Sequence, residues 1–257
     1  MDLGLDDEVV LITGGTDGLG LALAEVLVTE GAHVAVCGRD ANRARAVEER
    51  LQAAGGDVLA VAADVSVAAE LERFVQVALE RWGRIDGVVN NAGRSSANGI
   101  EATPDEEWHA DYDLKVMAAV RLVRLALPHL RASERASVVN VLNIGSKAPG
   151  ANSFPTSASR AAGLAITKSL SKELAPSGVR VNALLIGLVE SGQWRRRSEA
   201  SGQPLDAIYA SMADGIPLGR VGRSEEFANV AAFLLSPRSS YVTGSAINID
   251  GGASPVL

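Results

Sequence analysis

Short apolar runs alternate along this chain with longer stretches in which apolar residues return at helical spacing. Val9–Thr13, Ala32–Cys37, Val58–Ala63, Ile85–Val89, Val138–Ile144, Val179–Ile186 and Ala246–Asp250 read as buried strands. Helices are expected from Gly18 to Leu27 and over Asn42–Ala54, Ala68–Trp82, Asp105 to about Leu130, Ser157–Ala175 and Ser224–Leu235. Thr103-Pro104-Asp105-Glu106 has the form of a capping box with proline at the first helical position, and it is expected to open the long helix. Gly192–Gly215 keeps no period and is expected to be irregular. Strands alternating with helices at this spacing imply an α/β fold with parallel pairing and right-handed crossovers. No linker, repeat or low-complexity segment divides residues 1–257, so one domain is expected.

The first strand runs straight into Gly14-Gly15-Thr16-Asp17-Gly18-Leu19-Gly20 and then into a helix. Glycines there let the backbone turn tightly and let a ligand approach where a Cβ would collide. The helix start offers free N–H groups and the positive end of a dipole, which suit a phosphate. In this context, after a buried strand and before a helix, the run points to a dinucleotide.

Composition narrows the class. The chain has 257 residues, 47% hydrophobic and 21% charged, enough for one large core. A net charge of −7 argues against non-specific binding to nucleic acid or an anionic membrane. Cys37 stands alone, so no internal disulfide forms, which fits a reducing compartment. The acidic N-terminus is unlike a signal peptide, and no charge-free apolar run reaches spanning length, so a cytoplasmic protein is expected.

The second strand ends in Gly38-Arg39-Asp40. A carboxylate after this strand would bond a ribose 2′-hydroxyl, whereas an arginine accommodates a 2′-phosphate. Glycine leaves the acidic position empty and Arg39 follows, which favours NADP(H) over NAD(H), although Asp40 lies close by.

Together with Asp64-Val65, Asn91-Ala92-Gly93 and the ending Tyr241-Val242-Thr243-Gly244…Asp250-Gly251-Gly252, the glycine turn resembles the short-chain dehydrogenase/reductase family over essentially the whole chain. The resemblance implies a Rossmann-like, doubly wound fold with a seven-stranded parallel sheet flanked by helices, usually assembled as a homo-tetramer or dimer. It places Asp64 and Val65 on the adenine and Asn91, Ala92 and Gly93 along the cofactor cleft. Gly187 and Ser191 keep their places in the turn that contacts the nicotinamide, although its usual proline is missing.

The family's chemistry uses a tyrosine and a lysine four residues apart, a serine and an asparagine. By resemblance the tyrosine position holds Thr156 and the lysine position Arg160. Thirteen residues before Thr156 stands Asn143 in place of serine, unless a gap brings in Ser146. The asparagine position, seven after Trp108, holds Lys115. Threonine is too weak an acid to replace a phenol, and arginine stays charged at any working pH, so the usual relay cannot run. Arg160 can still bond the ribose hydroxyls.

Two readings of Lys115 stand. Pointing into the cleft near Arg160, it would have a lowered pKa and serve as general acid or base within reach of a substrate oxygen. Packed along its helix, it would snorkel to water. Asn143 either donates to a carbonyl oxygen or satisfies backbone groups at the end of its strand. His33, His109 and His129 lack metal-ligand spacing, so no metal is expected. Arg195–Arg197 reads as a solvated face, with an anion site as the alternative. The expected activity is NADP(H)-dependent oxidoreduction of a small carbonyl or alcohol with a non-standard proton donor. Its rival is a non-catalytic dinucleotide-binding sensor or partner subunit.

Overall fold

The structure is a computed structural model that describes residues 2–257. Seven strands form one parallel sheet: β1 (Val9–Thr13), β2 (His33–Gly38), β3 (Val58–Ala62), β4 (Gly87–Asn90), β6 (Ser137–Asn143), β8 (Arg180–Ile186) and β9 (Ala246–Ile249). Their order is β3-β2-β1-β4-β6-β8-β9. β5 (Ala97–Asn98) and β7 (Phe154–Pro155) form a small antiparallel pair outside it.

β1 shows why the runs are continuously apolar. Val10 and Ile12 face one core with Leu23, Leu27 and Phe227, while Val9 and Leu11 face another with Phe74, Leu122 and Leu130. A strand covered on both faces has no polar side to alternate. The first core is roofed by α1 (Gly18–Thr29) and α9 (Ser224–Leu235), the second by α3 (Ala68–Trp82) and α5 (Ala118–Ala132). α2 (Ala41–Ala53) packs on β3 at the sheet edge, and α6 (Thr156–Leu174) lies against β8 and β6. β1 neighbours β2 on one side and β4 on the other, so the chain leaves the two strands' carboxyl ends in opposite directions. A ligand crevice opens at such a switch point. No helix is long and apolar enough to cross a membrane among the described residues.

Three expectations are corrected. The long helix is α4 (Asp105–Tyr112), a π-helical turn at Asp113–Met117, then α5. The capping box is absent: Pro104 occupies the N-cap, and the Thr103 hydroxyl donates to Gly99 O at 2.8 Å instead. Gly192–Gly215 is not irregular but holds two helices, α7 (Gly192–Ser201) and α8 (Leu205–Ala213). They pack on each other, and α7 pairs through Arg195 and Arg196 with Asp17, contacts that periodicity does not register.

Candidate active site

A cleft of about 390 Å³ opens at the carboxyl ends of β1, β4, β6 and β8. Gly14, Asp17, Gly18 and Leu19 form one end of its wall, Asn91, Ala92 and Gly93 the middle, and Asn143, Thr156, Arg160, Gly187 and Ser191 the other. The glycine turn is held from behind. Asn91 Nδ2 donates to Thr13 O at 2.9 Å and Gly14 O at 3.1 Å. A Cβ on Gly20 would meet Gly14 O at 2.5 Å and Asn91 Nδ2 at 2.6 Å, so only glycine lets helix and turn come this close.

At the adenosine end, Thr16 packs where any side chain on residue 38 would have to go, which explains the glycine there. Asp40 accepts from the Asn42 and Arg43 amides at 3.0 and 3.1 Å as the cap of α2. With Asp40 engaged, exposed Arg39 is the side chain available for a phosphate. Its charge reaches Asp64, whose carboxylate accepts from the Ser66 amide and hydroxyl at 2.9 and 2.6 Å. Val65 beside it is buried.

Asp17 does more than line the turn. It caps α1 through the Gly18 amide at 2.8 Å and pairs with Arg195 at 2.8 Å and Arg196 at 2.9 Å. Neither reading of the arginine run survives whole. Two of the three tie α7 across the glycine turn, and Arg197 lies over the Trp194 ring. These pairs are more than half exposed on the arginine side, so they contribute little to stability.

The other end of the cleft is unusual. Lys115, at the centre of the π-helical turn, does not extend into the cleft, nor does it snorkel to water. Its side chain is 1% exposed, and its ammonium ion-pairs with Asp111, one turn earlier. It also donates to Thr156 Oγ1 at 2.8 Å. Thr156 therefore stands between Lys115 and the cleft. Burial, and then the Arg160 charge, pull the Lys115 ammonium down to about 8, against the opposing pull of Asp111. A small cavity of about 20 Å³ borders Lys115 on its inner side, beside Asn90 and Asn140.

Thr156 Oγ1 accepts a second hydrogen bond, from the Ser96 amide at 3.1 Å. A hydroxyl has two acceptor sites and one hydrogen. With both acceptor sites filled, the remaining function of Thr156 is its O–H, which can address the cleft.

Arg160 is half-buried, donates to Val141 O, and is pulled down by desolvation to about 10, still charged at neutral pH. Asn143, the last residue of β6, borders the cleft, whereas Ser146 turns its hydroxyl onto Asn143 O at 2.6 Å. Three buried polar atoms on the cleft wall have no partner in the protein: Arg160 Nε, Asn143 Oδ1 and Ser191 Oγ. Buried polar groups are normally paired, so these await a polar ligand. Together with the glycine turn and the N-terminus of α1 they fit a dinucleotide, its phosphates on Gly14–Gly20 and its nicotinamide half near Asn143, Arg160 and Ser191. Cys37, by contrast, is buried and pushed up to about 12, so it is chemically quiet.

Sequence reasoning missed Asp111 and Ser159. Asp111 stands four before Lys115, a spacing that pairs charges on a helix, but it lies among acidic residues that read equally well as a solvated face.

Comparison with known proteins identifies the family. The profile of the family described as enoyl-(acyl carrier protein) reductase matches residues 14–254. A putative ketoacyl reductase of the granaticin polyketide synthase from Streptomyces violaceoruber is 37% identical, over 95% of both chains. The 3-oxoacyl-[acyl-carrier-protein] reductase of Chlamydia pneumoniae is 32% identical over 98% of this chain and 99% of its own. Among solved structures, L-sorbose reductase from Gluconobacter frateurii, complexed with NADPH and L-sorbose, superposes with a TM-score of 0.95 at 33% identity over the whole of both chains. An NADPH-bound short-chain oxidoreductase from Pseudomonas aeruginosa, described as containing an atypical catalytic center, superposes with a TM-score of 0.91. It is 39% identical over 98% of this chain and 100% of its own. With fold, cleft and relatives in agreement, the chain is a member of the short-chain dehydrogenase/reductase family and an oxidoreductase of that type.

Proposed function

We propose that this protein is an NADP(H)-dependent reductase of a small carbonyl compound, in which Lys115 supplies the proton and Thr156 hands it on. The carrying observation is the chain of contacts from a buried ammonium to a hydroxyl on the cleft wall. NADPH, when bound, supplies a hydride to the carbonyl carbon.

The chain's own residues account for the rest. Thr156 Oγ gives its hydrogen to the carbonyl oxygen as negative charge develops there, and takes a proton from Lys115 Nζ in the same movement. A threonine hydroxyl need not be a strong acid for this, because it never carries a standing charge. Lys115 is left as a neutral amine and regains its proton from solvent. Asn143 presents its amide to the carbonyl, and Arg160 holds the ribose and counterbalances the developing charge.

The proton donor must be charged for reduction, so reduction falls as pH rises through about 8, and the reverse oxidation rises over the same range. The function is tested by following NADPH oxidation against β-ketoacyl thioesters and polyhydroxy ketones, the carbonyl classes suggested by the relatives' names. Turnover with any of them supports the reading. Tight NADPH binding with no oxidation across the panel would favour the sensor or partner-subunit role.

Cofactor choice has its own test. Arg39→Asp is expected to reverse the preference between NADP(H) and NAD(H), since it replaces a phosphate partner with a ribose one. Titration of both dinucleotides reads this directly, and an unchanged affinity ratio would remove Arg39 from the site. Assembly as a homo-tetramer or dimer belongs to the same proposal: Leu218 and Tyr241 are 69% and 102% exposed, as surfaces awaiting a second copy would be.

A further inference from the structure

Asp111 is the carboxylate that pairs with the Lys115 ammonium. It sits on the last turn of α4, 1% exposed, and its two oxygens are divided between two partners. One takes the Lys115 ammonium and the other takes the Ser159 hydroxyl at 2.6 Å. Ser159 lies on α6, three residues after Thr156 and next to Arg160, so the network ties α4, the π-helical turn and the first turn of α6 together.

Without Asp111 the surroundings of Lys115 are hostile to its charge. Arg160 faces it from α6 and Arg94 from the loop after β4. Asp113, on the same turn, is engaged outward with Arg121 of α5 at 3.4 Å. A buried ammonium facing two guanidinium groups would lose its proton or swing on its flexible stem toward water. Either outcome would leave Thr156 without a charged proton source.

We propose that Asp111 is the positioning residue of the relay: its buried carboxylate, anchored by Ser159, fixes the Lys115 ammonium against Thr156 and keeps it charged until its proton is passed on. This rests on the reading of Lys115 as proton source given above. The π-helical turn takes part, because it sets how the lysine faces the aspartate one turn before it. π-helical turns of this kind concentrate at functional sites. A pair serving stability alone would be replaceable by apolar residues with no effect on proton delivery.

The chain contains only four lysines, Lys115, Lys147, Lys168 and Lys172, so the ammonium can be watched directly. Protein labelled with 13C and 15N at lysine gives four side-chain signals, and the one missing in Lys115→Met belongs to Lys115. In Asp111→Asn its titration midpoint is expected to fall by about one pH unit or more, because the attraction favouring the charged form is lost. The alkaline limb of kcat should move down by the same amount, with NADPH affinity unchanged. Asp111→Glu, which restores the charge, should bring both back toward the parent values. Should Asp111→Asn fold poorly, Asp111→Leu with Lys115→Met removes both charges. That pair should fold, bind NADPH and turn over no faster than Lys115→Met alone. A Lys115 midpoint unmoved in Asp111→Asn would overturn the role of Asp111 and leave the relay standing. A midpoint that moves while the kcat limb stays fixed would overturn Lys115 as proton source, and the positioning role with it.

Discussion

Lys115→Met is expected to lower carbonyl reduction by roughly a hundredfold or more, the usual loss when a general acid is removed. NADPH affinity should remain close to that of the parent. Methionine keeps the length and apolar stem that pack in the π-helical turn, so the change deletes charge rather than volume. The substitution leaves Asp111 buried without its cation, which is destabilising. Adding Asp111→Asn removes that burden and should recover thermal stability without recovering rate. The measurement is kcat together with the NADPH dissociation constant for the single and double variants. A parent-like rate in either would place the proton source elsewhere.

The second large effect belongs to Thr156. Thr156→Val keeps the shape and removes the hydroxyl that separates Lys115 from the cleft. Its rate should fall as far as that of Lys115→Met, while Thr156→Ser should stay within a few-fold of the parent. Residues acting in series are not additive, so the Lys115→Met, Thr156→Val double variant should fall no further than either single one. If Lys115 instead reached the substrate directly, Thr156→Val would keep most of its activity. Steady-state rates at one pH, well below 8, decide between the two.

The sheet was legible because β1 and its neighbours are buried on both faces, and such strands leave unbroken apolar runs. The glycine turn was legible because Gly14–Gly20 owes its glycines to local geometry, namely a tight turn and a helix pressed against it. Where contacts are long-range, the sequence was silent. α7 has only one buried residue, Gly192, and is placed by Trp194 and by ion pairs from Arg195 and Arg196 to Asp17, 178 and 179 residues earlier. Without an apolar stripe it read as irregular. The π-helical turn also leaves the apolar spacing on either side nearly intact, so the long helix read as continuous. Lys115 was singled out by position, but its place behind Thr156 follows from Asp111 and Ser159, which come from different helices and carried no signal of burial. Asn143 and Ser146 differ in the structure in that Asn143 borders the cleft while the Ser146 hydroxyl turns onto Asn143 O, a difference of local direction that no spacing reveals.

In the proposed reaction a proton passes from Lys115 through Thr156 to a carbonyl reduced by NADPH. That transfer is tested most directly by the pH dependence of single-turnover NADPH oxidation in the parent and in Lys115→Met. The parent should show a rate that falls with rising pH, with a midpoint at about 8, the value of the buried ammonium. In Lys115→Met the slow residual rate should show no such limb. A limb that persists unchanged in Lys115→Met, or a parent rate that stays flat through that range, would contradict the account.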